Sequence, residues 1–331
     1  MQILVPVTSR CAVAALALTL AAGAAAQDSA APGGSNNDAK VLNPLRIATK
    51  RWFAANEADV AVQVGTLPSG AAFDGEYLWI ANTGGNTISK IRPSDLTVVD
   101  TFPSITPVAL CYDGAHIWVT NSGGVDKVTK LRASDGSFVL DAVVGDAPHS
   151  SVFDGTHVWV SNAFEGSITK VRASDGAVMN TLQTGSFPAG LAFDGTYVWA
   201  VISGDAQVLK IRASDDQVMG AFPIGTNGAD IVFDGRWIWV ASFDTNTVAR
   251  IRTSNGQNTG NFPVGNGPTG LIFDGEHVWV TCYTDQTVCK VRPRDGKVVG
   301  TFNAGAEPTR MAFDGESIWV VNEGPGTVTK K

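Results

Sequence analysis

Charge is scarce in this chain of 331 residues. Asp, Glu, Lys and Arg make up 17%, and the balance is acidic, 31 against 24. Such a chain lacks the basic field that holds nucleic acid or an anionic membrane surface, so neither is expected as a partner. Histidine is rarer still, with four residues and no close metal-ligand spacing among them. Calcium loops of the DxDxDG type are missing, because each SDG phrase has a single carboxylate or a lone pair. Neither G-x-G-x-x-G nor G-x-S-x-G occurs where a strand would lead into a helix, which removes nucleotide-fold and serine-hydrolase readings. Beyond residue 26 no run is long and apolar enough to cross a membrane.

What is plentiful is glycine, 36 residues, against a hydrophobic content of 44%. That combination suits an all-β protein built from many tight turns. The first 26 residues differ from the rest. Arg10 is their only charge, and an Ala/Leu run ends in Ala24-Ala25-Ala26 before Gln27. A short basic region, an apolar stretch and a small-residue cleavage site make a signal peptide. Cleavage near Ala26 leaves 23 basic and 31 acidic residues and places the mature chain in the periplasm or outside the cell. Residues 27–58 read as a flexible leader, with a possible short helix over 44–57 opened by Pro44.

From residue 59 onward one phrase is written seven times, from FDGEYLWIAN to FDGESIWVVN. Its aspartates are Asp74, Asp113, Asp154, Asp194, Asp234, Asp274 and Asp314, at intervals of 39, 41, 40, 40, 40 and 40. Each period holds four short apolar-alternating runs separated by Asp-Gly and Ser-Asp-Gly turns, with the Asp-Gly turns expected to be type I′. Four antiparallel strands per ~40 residues make a propeller blade. The last repeat stops after its third strand at TVTKK, while a spare strand, VAVQVG, precedes the first. Pairing the two closes a seven-bladed β-propeller over residues 59–331 and hides both sheet edges. Seven tryptophans at one repeat position, from Trp79 to Trp319, read as filling between blades.

These phrases resemble the YVTN-repeat propellers and, more distantly, the streptogramin (virginiamycin B) lyase family, which shares a P-x-G…DG…W pattern. The resemblance implies that the first strand of each repeat lines a central channel and the fourth lies outermost. It also implies, for the lyases, paired His and Glu holding a divalent metal at the channel mouth. Only His149 falls on that face here, so the metal set does not carry over.

The Asp-Gly and Ser-Asp-Gly turns share one face and are nearly uniform. The other face carries most of the differences between repeats, and a repeat protein that varies one face uses that face. At the channel mouth most positions are small. His149 with Ser150, Asp230 and Arg310 are the polar exceptions, and Phe164, Glu165, Phe187, Phe243, Tyr283 and Glu307 stand in neighbouring loops. Aromatics and carboxylates around a concave mouth suit a polar ligand with an apolar face, or a peptide. The function expected is that of an exported, non-enzymatic, monomeric binding propeller for a protein, peptide or glycan, without a cofactor. The alternative is a metal-dependent lyase or lactone hydrolase at the same mouth.

Cys282 and Cys289 occupy positions expected to face each other across a hairpin, where a disulfide would form in an oxidising compartment. Cys111 reads as a buried free thiol. The Lys/Arg pairs of the third strands, such as Lys170 and Arg172, are expected to pair with the aspartate of the following turn.

Overall fold

The computed structural model describes residues 60–331. The expected signal peptide and leader, with the helix over 44–57, lie outside the described residues. Twenty-eight strands, β1 to β28 in chain order, form seven four-stranded antiparallel sheets. The third blade shows the pattern, with β10 (Pro148–Phe153), β11 (His157–Asn162), β12 (Ser167–Arg172) and β13 (Val178–Gln183) in sequential order. The innermost strands, β2 (Pro68–Phe73), β6 (Pro107–Tyr112), β10, β14 (Pro188–Phe193), β18 (Gly228–Phe233), β22 (Pro268–Phe273) and β26 (Pro308–Phe313), each touch the next, and β26 touches β2. The ring is closed as the sequence implied. In the last blade β1 (Val60–Gln63) takes the outer place beside β28 (Thr327–Lys330), pairing Val60 with Lys330 and Gln63 with Thr327.

Each blade is organised by its aspartate and tryptophan. Asp154 Oδ1 accepts the Thr156 and His157 N–H groups at 2.8 and 2.6 Å, while Oδ2 accepts the Trp159 indole N–H at 2.8 Å. The same indole bond recurs in all seven blades at 2.7–2.8 Å. It solves a specific problem: these indoles are almost wholly buried, and a buried N–H left unpaired is costly. The turn differs from the expected type I′. Its aspartate occupies the first position, and only the glycine has positive φ, as at Gly155 (99°). The aspartate is fixed by what it accepts.

Tryptophan faces pack into the neighbouring blade. Trp79 lies in the cluster that joins Ala81 and Ile88 to Leu110, Ile117 and Leu131. The third-strand lysines reinforce this joint. Lys90, Lys130, Lys170 and Lys210 each lie over their own blade's tryptophan and donate to a turn carbonyl of the next blade, at 2.8, 2.7, 2.7 and 2.6 Å. Arg250 does the same to Pro293. The expected local pairing therefore holds for the arginines, such as Arg172 with Asp175 at 2.8 Å, whereas the lysines bridge blades. The ring face and the charge-assisted bonds hold each ammonium group at the joint, and Lys170 also meets Asp216 of the next blade at 2.7 Å.

The cysteines depart from expectation. Cys282 pairs with Thr287 and Cys289 with Val280, so the two lie diagonally across the hairpin. Diagonal neighbours are ~7–8 Å apart at Cα, beyond the usual disulfide span. Both are free thiols, buried, with Sγ atoms 3.6 Å apart. Cys282 donates to Cys289, so the Cys289 thiol is the more acidic and that of Cys282 is pushed up. Cys111 is buried, as expected.

A candidate binding face at the channel mouth

The variable face is built from two loops per blade: the lead-in to the innermost strand and the turn joining the second and third strands. One backbone bond ties them together in every blade, as Ala163 N–H to Ala147 O, Ser203 to Phe187, Tyr283 to Gly267 and Glu323 to Glu307, at 2.8–3.0 Å. The accepting residue is left-handed each time. Its φ is 47° at Leu67, 44° at Thr106, 55° at Ala147, 58° at Phe187, 54° at Asn227, 65° at Gly267 and 56° at Glu307. Only Asn and Gly adopt this conformation readily, so the sequence gives no warning of it. The strain is architectural, and it holds Phe187 and Glu307 in fixed places on the face.

Beneath this face the inner strands interlock. A Cβ on Gly270 would sit 2.1 Å from the Thr309 carbonyl oxygen, and one on Gly190 would sit 2.9 Å from Asp230 Cα. This accounts for the small residues of the channel column. The four polar exceptions are buried there: His149 is 3% exposed, and Ser150, Asp230 and Arg310 are 0%. Ser150 Oγ accepts the Leu191 N–H of the next blade at 3.2 Å, and Asp230 accepts that of Leu271 at 2.8 Å. Arg310 Nη1 reaches Asp230 at 3.7 Å and donates to the Thr269 carbonyl at 3.3 Å. The structure thus brings Asp230 and Arg310 together as stitches between blades.

His149 lies near enough to Arg310 to feel its charge. Burial first, and that charge second, hold its imidazole well below the usual range, so it is neutral at pH 7. Among the described residues its Nδ1 has no hydrogen-bond partner.

The loop residues divide into two groups. Phe164 is 68% exposed, and its ring is 6.1 Å from that of Phe187, which meets His149 edge-on at 6.2 Å. Between the 163–166 turn and the next lead-in runs a groove of about 510 Å³, lined by Phe164, Glu165, Gln183, Ser186 and Phe187. Across the ring, Tyr283, Glu307 and Glu323 form a second group. Burial, then the neighbouring Glu307, pushes the Glu323 carboxyl up to about 7, with Arg310 opposing. Burial and both glutamates raise the Tyr283 phenol. Phe243 lies in the turn over 243–246, its ring beside Gly267 of the next lead-in.

The sequence places carboxylates at this mouth, and the structure adds that no cation accompanies them. The fourteen loops of this face carry Asp126, Asp146, Glu165, Asp205, Asp244, Asp285, Glu307 and Glu323, and not one Lys or Arg. Among the described residues none of these eight pairs with a cation. Several instead accept loop N–H groups, as Asp205 does from Ser186 and Asp285 from Asn266.

No protein-family description matches the chain, and no curated protein matches it. Solved structures do. The chain is similar to the Kuenenia stuttgartiensis hydrazine synthase structure, with TM-score 0.73 and 18% identity over 83% of this chain and 98% of that one. It is also similar to a streptogramin B lyase structure, with TM-score 0.69 and 16% identity over 82% and 96%. The likeness is one of fold. The divalent-metal site implied by the lyase resemblance does not fit these residues. Among those described, no three His, Cys, Asp or Glu side chains are grouped to hold a metal, and His149 is turned into the protein beside Phe187 and Arg310.

Proposed function

We propose that the chain is an exported binding propeller that takes a macromolecular ligand, a protein or peptide segment, on its variable face. One contrast supports this reading. The opposite face is committed to seven near-identical Asp–Trp turns, while the variable face displays unlike aromatics and carboxylates on loops of fixed shape. A rigid scaffold with variable loops is how binding surfaces are generally carried. The buried His149, Ser150, Asp230 and Arg310 act here as positioning residues beneath the ligand, and Phe164, Phe187, Phe243, Tyr283, Glu165 and Glu307 meet it. The protein acts as a monomer and without a cofactor, in the periplasm or outside the cell.

The test screens the full chain against peptide and glycan arrays beside two variants. One carries Phe164→Ala, Phe243→Ala and Tyr283→Ala; the other carries Glu76→Gln and Glu316→Gln on the opposite face. Binding lost only in the first variant supports the reading. Binding lost only in the second removes it.

A further inference from the structure

We propose that the variable face docks a Lys/Arg-rich peptide segment, with one cationic side chain lodged between Phe164 and Phe187 against Glu165. The inference rests on the binding role above and names its partner by chemistry.

Three independent observations converge. The first is charge: eight carboxylates on one face, no cation among them, and no ion pair with any described Lys or Arg. A single-signed field of this kind attracts and orients an oppositely charged partner before contact. The second is the groove of about 510 Å³, whose exposed Phe164 is a large apolar surface with no partner except the tilted Phe187 ring. An aromatic face beside a carboxylate suits a guanidinium or ammonium group, which the ring attracts through its quadrupole and the carboxylate through its charge. Glu165 lines the groove, and Ser186, also in its lining, donates its N–H to Asp205.

The third is His149, behind Phe187, buried, neutral and with its Nδ1 lacking a partner among the described residues. A buried polar atom without a bond is costly, and a donor brought by the bound segment would relieve that cost. A glycan is the weaker match, because hydroxyl recognition gains nothing from a face whose carboxylates outnumber its cations so completely.

The experiment uses fluorescence anisotropy with the full chain and three labelled peptides of equal length: alternating Lys/Arg, Gln/Ser and Glu/Ser. The Lys/Arg peptide is expected to bind, and the other two not to. Its affinity should fall about tenfold or more when salt is raised from low to high concentration, as screening of surface charge requires. Phe164→Ala with Glu165→Gln should weaken it about tenfold, and Glu76→Gln with Glu316→Gln should leave it unchanged.

Equal loss in both variants would reduce the effect to overall charge and overturn the groove. Binding of the Gln/Ser peptide, or of a glycan, that is lost with Phe164→Ala would overturn the cationic partner while leaving the variable face as the binding surface. Failure of every peptide and glycan to bind would overturn both.

Discussion

Converting Asp154 to Asn tests what holds each blade in register. The carboxylate makes three bonds, two to backbone N–H groups through Oδ1 and one to the Trp159 indole through Oδ2. An asparagine oxygen can keep the backbone pair, but its NH2 group then faces the indole N–H, donor against donor. A bond to a charged group is worth ~1.5–3 kcal/mol, and a buried donor left unpaired costs ~1–3 kcal/mol. The two overlap, so Asp154→Asn should destabilise by about 3 kcal/mol. Trp159→Phe loses the same bond and leaves a void at a 0% exposed position, a change of about 2–3 kcal/mol. In the double variant the donor conflict is gone, so its cost should fall short of the sum by about 2 kcal/mol. Urea unfolding of all four proteins by far-UV circular dichroism measures this, with a second probe confirming one coincident transition. Additivity within about 0.5 kcal/mol would refute the reasoning, since residues that do not interact simply add.

Other outcomes follow from the same geometry. Removing every residue before Val64 deletes β1 and exposes β28, so the protein should melt at lower temperature and self-associate on size-exclusion chromatography. Glu323 is raised to about 7 in the folded protein against an ordinary 4.5. The folded state therefore holds the extra proton between those values, and stability declines as pH rises through that window; Glu323→Gln should flatten this part of the melting profile. His149 works in the opposite sense, since its folded value lies below 6.5. Its contribution is complete above pH 6.5 and is lost as the pH falls below it, a slope that His149→Gln should remove. Because Cys289 is the more acidic of the thiol pair and borders a surface cavity of about 470 Å³, iodoacetamide should label it before Cys282, as peptide mapping would show.

The architecture was legible because its determinants are local and repeated. An Asp-Gly five residues before a buried tryptophan recurs every 40 residues, and the spare β1 phrase matches the outer strands. Contacts whose partners lie a blade away were not legible. Lys170 and Arg172 look alike in sequence, yet Arg172 meets an aspartate three residues on and Lys170 reaches the Ala213 carbonyl, which leaves no mark in residue type. The cysteines share their repeat columns with Asn162 and Thr169, which meet by the same diagonal. Only the register, set by the turn, decides whether such columns face or slant. At the site, sequence singled out His149, Ser150, Asp230 and Arg310 for being polar among small residues, which is also what stitches between inner strands require. The acidity of the face was readable only after its loops had been assigned.

Chain direction fixes where the disc can be held. An outer strand runs toward the variable face and a third strand runs away from it, so β1 begins, and β28 ends, on the side of the uniform turns. Lys331 sits there, its backbone bonded to Ile318. Anything joined to the last residue, whether a surface or a fused protein, therefore grips the disc from behind. The acidic side then points outward, as the open palm of a hand held at the wrist.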